Sequence, residues 1–88
     1  MFRDSTILIT GGTGSFGKKF VRMTLDQYQP KSIIIFSRDE MKQWDMAENY
    51  RDDSRVNFII GDVRDRDRLS RSLDGVDYVV HAAATKIV

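Results

Sequence analysis

An α/β fold built on a parallel sheet is predicted by three features of the 88-residue chain. Short β-branched apolar runs recur along it, segments of helical spacing separate them, and Gly or Pro stands at most boundaries. The resulting order is β-α-β-α-β-α-β, which implies right-handed crossovers. A chain of this length makes one small domain, assigned here to residues 1–88.

Thr6–Thr10 is a compact apolar run stopped by Gly11-Gly12, suited to a strand buried on both faces. From Ser15 to about Gln27, Phe16, Phe20, Val21, Thr24 and Leu25 mark one face of a helix. Pro30 ends it, because the residue before a proline avoids α geometry. Ser32–Ser37 is the second strand. Asp39 to Tyr50 carries Met41, Trp44, Ala47 and Tyr50 at steps of three and predicts a helix whose acidic start complements its dipole. Met41, Trp44 and Met46 read as core or helix-surface packing. After the charged turn Arg51–Ser54, Val56–Ile60 forms a third strand closed by Gly61-Asp62. Asp65 to Leu73 is a short helix with Leu69 and Leu73 on one face, ended by Asp74-Gly75 in a left-handed turn. Val76–His81 is the fourth strand.

Composition excludes several classes of function. Fourteen Lys+Arg against 13 Asp+Glu give a net charge of +1, with no basic stripe for nucleic acid. Arg64–Arg68 alternates in sign and reads as a solvated helix start. With no Cys and a single His, thiol nucleophiles, disulfides and Cys or His metal clusters drop out. No apolar run approaches the roughly 18 residues of a membrane span, and Met1-Phe2-Arg3-Asp4 lacks signal-peptide layout. The expected location is the cytoplasm, with no membrane partner.

The strongest motif is Thr10-Gly11-Gly12-Thr13-Gly14-Ser15-Phe16-Gly17, in which Gly11, Gly14 and Gly17 follow a strand and open a helix. The first glycine permits a tight turn, the second lets a pyrophosphate approach the backbone, and the third lets the helix lie close to the sheet. Free N–H groups at the helix start would hold the phosphates. These features predict a Rossmann-type doubly wound parallel sheet, of which the chain carries the N-terminal portion. A purely structural glycine turn is the alternative.

About 20 residues beyond the last glycine, where an acidic side chain selects the ribose of NAD, stands Ser37-Arg38. A hydroxyl and a guanidinium suit a 2′-phosphate, which favours NADP. In the shifted alternative Asp39 takes the ribose and Arg38 pairs with a carboxylate. Asp62-Val63 closes the third strand where an adenine would pass; Asp62 could accept from its amino group or serve as a turn residue. His81 reads as a hydrogen-bonded structural residue. Ala82, Ala83 and Ala84 leave room for the nicotinamide ribose, and Lys86 either reaches phosphate or substrate or is solvated.

Taken with Ser37-Arg38-Asp39-Glu40, Gly61-Asp62-Val63-Arg64-Asp65 and His81-Ala82-Ala83-Ala84 with Lys86, the glycine motif resembles the extended short-chain dehydrogenase/reductase superfamily. Within it the chain is similar to the inverting UDP-N-acetylglucosamine 4,6-dehydratases of bacterial polysaccharide and pseudaminic-type amino-sugar biosynthesis. The resemblance implies an NADP-dependent lyase acting on a nucleotide sugar, UDP-N-acetylglucosamine above all. In that reaction hydride leaves C4, water is eliminated across C5 and C6, and hydride returns to C6 with inversion at C5.

Carried over by position, Thr13, Gly14, Ser15 and Phe16, framed by Gly11 and Gly17, would bind pyrophosphate. Ser37, Arg38, Asp39, Glu40, Met41 and Lys42 would hold the adenosine phosphate end, and Asp62 and Val63 the adenine. Ala82, Ala83 and Ala84 would line the ribose, with Lys86 near both cofactor and substrate. Thr85 and Ile87 stand where this family most often has Leu and His.

The family also uses a Tyr-x-x-x-Lys pair, but Tyr28, Tyr50 and Tyr78 are followed four positions later by Ser32, Ser54 and Ala82. The 88 residues are therefore expected to contain no catalytic residue and to lack activity in isolation. The complete protein is expected to be a soluble homo-oligomer, with strand one of this portion near an open sheet edge. A related epimerase or reductase, or a non-catalytic dinucleotide-binding module, is the alternative.

Overall fold

The structure is a computed structural model describing residues 3–11 and 13–81. Its elements are β1 (Thr6–Thr10), α1 (Ser15–Gln27), β2 (Ser32–Ser37), α2 (Glu40–Glu48), β3 (Val56–Ile60), α3 (Arg66–Ser72) and β4 (Tyr78–His81). The strands form one parallel sheet in the order β3-β2-β1-β4, with Leu8 opposite Ile34 and Val79, and Ile35 opposite Phe58. This is the α/β Rossmann-type arrangement expected from the sequence. β1 lies one strand in from the edge, and β4 is the edge strand on that side.

Side chains alternate across the pleat and so divide the apolar residues between two faces. Ile9, Ile33 and Ile35 pack with Val21 and Leu25 of α1 and Met46 of α2, and Val56, Phe58 and Val80 extend this core toward both edges. Leu8, Ile34 and Phe36 point to the other face, where the β3-to-β4 crossover carries α3. Burial on both faces, expected of the strands, holds for β1 and β2, where Ile7, Leu8, Ile9, Ile33, Ile35 and Phe36 are fully buried. The outer strands are only partly covered, and Tyr78 and Val79 of β4 are exposed.

Aspartates set where the later elements begin. Asp39 and Asp65 are the N-caps of α2 and α3, accepting from the backbone N–H of Lys42 at 3.0 Å and Arg68 at 3.2 Å. The helices thus start one residue after these carboxylates. β4 starts at Tyr78, not Val76, because the Asp77 carboxylate accepts from the Thr6 N–H at 2.8 Å, while the Asp77 N–H donates to the Thr6 carbonyl.

One predicted helix face needs correction, and a second is divided between core and surface. Phe16 is 52% exposed, with its ring centroid 6.2 Å from that of Phe20, which is partly buried against the core. In α2, Met46 is core but Met41 and Trp44 are exposed, while Gln43 turns inward. At about 100° per residue, steps of three drift around the helix, so Met41 and Tyr50 end up about 180° apart and never shared a face.

Candidate functional site

The carboxyl ends of β1, β2 and β3 open into a cleft of about 770 Å³. Gly11, Thr13, Phe36, Ser37, Arg38, Asp39, Lys42, Gly61, Asp62, Val63 and Arg64 line it. Three segments far apart in sequence meet there: the glycine turn, the β2–α2 junction and the β3–α3 junction. This is the crevice in which open α/β sheets bind ligands.

The glycine turn is held by its own backbone. Gly11 adopts φ 69°, in the left-handed region, and its N–H donates to the Phe36 carbonyl at 3.0 Å. Gly14 is the N-cap of α1 in extended geometry, with no side-chain cap and no acidic residue in the first turn. The N–H groups at the start of α1 are therefore left to an external acceptor, whereas α2 and α3 receive theirs from Asp39 and Asp65. A Cβ built on Gly14 would meet only the Gly11 carbonyl oxygen, at 3.7 Å. The fold itself leaves room for a side chain at that position, and N–H groups without a side-chain cap at a helix N-terminus suit a phosphate group. Gly17 is buried one turn into α1.

At the end of β2, Ser37 is nearly buried and its Oγ accepts from Gln43 Nε2 at 2.9 Å, leaving the hydroxyl proton to donate elsewhere. The same amide donates to the Ile59 carbonyl at 2.8 Å, tying the ends of β2 and β3 together. Arg38 extends into solvent with Nη1 3.8 Å from Asp62 Oδ2. Asp39 spends Oδ1 on its cap, and Lys42 lies beside it on the cleft wall.

At the end of β3, Asp62 forms an Asx turn with the Arg64 N–H at 2.9 Å. It also receives the Arg64 guanidinium, with Nη2 at 2.7 Å from Oδ2 and Nε at 3.1 Å from Oδ1. These donors, with Arg38 nearby, lower the Asp62 pKa to about 2, so the carboxylate remains charged throughout the neutral range. Arg38, Lys42 and Arg64 outnumber Asp39 and Asp62 among the lining residues, so the cleft favours an anion.

Of the predicted site residues, Gly11, Thr13, Ser37, Arg38, Asp39, Lys42, Asp62 and Val63 line this cleft. Gly14, Ser15, Phe16 and Gly17 continue from it into α1, and Glu40 and Met41 sit exposed on the first turn of α2. Ala82, Ala83, Ala84 and Lys86 lie outside the described residues. His81 pairs through Nδ1 with Thr10 Oγ1 at 3.0 Å, as a structural residue would.

Sequence reasoning missed Gln43, and it treated Arg64 and Arg68 as plain solvated charge. Instead Arg64 folds back onto Asp62, and Arg68 Nε donates to the Ile60 carbonyl at 2.6 Å. The Asp-x-Arg spacing of an Asx turn could have signalled the first of these. Gln43 interrupts the inward face of α2, and that was its available signal.

The profile of a family described as polysaccharide biosynthesis protein matches residues 7–88. The UDP-N-acetylglucosamine 4,6-dehydratase (inverting) of Campylobacter jejuni is 52% identical over all 88 residues, which span 26% of that protein. The UDP-glucose 4-epimerase of Rickettsia typhi is 49% identical over 94 aligned residues, covering all of this chain and 26% of the relative. Among solved structures, Pen from Bacillus thuringiensis superposes with a TM-score of 0.90 at 40% identity, over 100% of this chain and 27% of that one. The dTDP-glucose 4,6-dehydratase of Bacillus anthracis, in complex with NAD, gives 0.77 at 25% identity over 89% of this chain and 26% of that one. The chain thus spans about a quarter of the length of the relatives it matches. Among the described residues, no helix is long and apolar enough to cross a membrane. The match over residues 7–88, together with the identities and the shared fold, places the chain in the polysaccharide biosynthesis protein family, within the short-chain dehydrogenase/reductase superfamily.

Proposed function

We propose that the chain is the dinucleotide-binding portion of a nucleotide-sugar 4,6-dehydratase, holding NADP and serving a sugar such as UDP-N-acetylglucosamine in polysaccharide or pseudaminic-type amino-sugar synthesis. The observation that carries this reading is the cleft, which joins the uncapped glycine turn to Arg38 and Asp62. The N–H groups of α1 bind the pyrophosphate. Ser37 donates its hydroxyl, and Arg38 its guanidinium, to the 2′-phosphate. Asp62 accepts from the adenine amino group, with Val63 against the ring. The dinucleotide that these residues would hold would supply a reversible hydride acceptor to the sugar. None of the three tyrosines begins a Tyr-x-x-x-Lys pair, so proton transfer at the sugar belongs to residues other than these, and purified 88-residue protein is expected to give no dehydration of UDP-N-acetylglucosamine. Product appearing in such an assay would reject that division of labour.

Calorimetric titration tests the cofactor assignment. The chain is expected to bind NADP more tightly than NAD, and Arg38→Ala to remove that preference with a loss of about tenfold for NADP, near the 1.5–3 kcal/mol of a hydrogen bond to a charged group. Equal affinities in the wild type would sink the NADP assignment. A nucleotide-sugar epimerase is the second reading, favoured by the 49% identity to the Rickettsia epimerase. With the complete protein, a keto-sugar product of altered mass selects the dehydratase, and an isomeric product of unchanged mass selects the epimerase.

A further inference from the structure

We propose that Arg64 competes with adenine for Asp62, so that binding of the nucleotide displaces the Arg64 guanidinium and the strength of that self-contact sets the affinity. The inference rests on the assignment of Asp62 to the adenine amino group.

A carboxylate offers about four acceptor positions. On Asp62, Arg64 alone fills all of them, with its N–H and Nε on Oδ1 at 2.9 and 3.1 Å and its Nε and Nη2 on Oδ2 at 3.2 and 2.7 Å. Arg38 Nη1 faces Oδ2 at 3.8 Å. An adenine amino group, a neutral donor, must therefore replace one of these positive donors. The Asx turn is local backbone geometry and can stay. The fork is the exchangeable part, because the Arg64 side chain is 78% exposed and regains water when it swings out. Exposed ion pairs of this kind are weak enough to yield to a ligand anchored elsewhere. Asp62 itself is less free, with its side chain 29% exposed at the end of β3. Arg64 lines the same cleft as Asp62 and Val63.

The competition is specific to the donor on the base. Replacing the amino group of adenine by an oxo group turns a competitor of Arg64 into an acceptor for it. NAD and deamino-NAD, titrated calorimetrically into the full chain, therefore separate this role from general electrostatics.

Arg64→Ala is expected to tighten NAD binding by about threefold, the scale of an exposed ion pair, and to raise the preference for NAD over deamino-NAD. Arg64→Lys keeps the charge without the fork and is expected to fall between wild type and alanine. Thermal melts should match wild type, since the side chain is mostly exposed. NAD binding that is unchanged or weaker in Arg64→Ala, while Asp62→Ala loses affinity for NAD, overturns the proposal alone. NAD binding that is indifferent to Asp62→Ala overturns the adenine assignment, and the proposal with it.

Discussion

Gly14→Val is expected to lower the affinity of the chain for NADP and NAD by about a hundredfold, or roughly 2.8 kcal/mol at about 1.4 kcal/mol per tenfold, while leaving the fold nearly intact. The separation of the two effects follows from geometry. Gly14 has φ −80° and ψ 179°, an extended conformation open to any residue, and its Cβ would find only the Gly11 oxygen at 3.7 Å. Valine is a poorer N-cap than glycine, which costs the helix about 1 kcal/mol at most. A branched side chain there stands over the first N–H groups of α1, where the pyrophosphate would lie, and overpacking of that contact falls on the ligand alone. Titration of both dinucleotides, with a thermal melt of the same sample, checks it. Wild-type affinity in a folded Gly14→Val protein would remove the phosphate site from the start of α1.

The largest stability effect is expected at Phe36. Its ring is fully buried at the end of β2, and its carbonyl accepts from Gly11, so it supports the glycine turn from below. Phe36→Ala is expected to cost about 3–5 kcal/mol. At about 0.05–0.15 kcal/mol per residue, that is a large part of what a chain of this length has. Equilibrium urea unfolding would show it as a lowered midpoint, and a midpoint within error of wild type would refute it.

The tightness of the site makes a second arm possible. A Cβ on Gly61 would lie 2.5 Å from Phe36 Cζ and 2.8 Å from Cε2. Gly61→Ala should therefore cost about 1–3 kcal/mol in the wild type. In a Phe36→Leu background it should cost clearly less, because the two positions share one space.

All four strands and all three helices are legible in the sequence within a few positions, because periodicity and breakers act within one or two turns of chain. The exposure of Phe16 on α1 and the role of Gln43 in α2 are not legible there. Phe16 is apolar and spaced correctly, but it lies at the start of α1, and Gln43 fills the inner position of α2 to bridge Ser37 and Ile59. A buried amide with satisfied partners costs little, yet its partners lie on two different strands, which no local pattern reveals.

For the candidate site, spacing alone put the glycine turn, Ser37-Arg38 and Asp62-Val63 at strand ends, and the structure brings them around one cleft. Their meeting depends on the parallel register that sets Thr10 beside Phe36 and Ser37 beside Ile60. The strand order β3-β2-β1-β4 then puts these ends along one rim. The local signals came from backbone preferences that each short segment expresses alone. Which charges face one another, and that Arg64 rather than solvent occupies Asp62, came from packing, because a guanidinium's partner is fixed by distance in space and by competing acceptors rather than by neighbours in the chain.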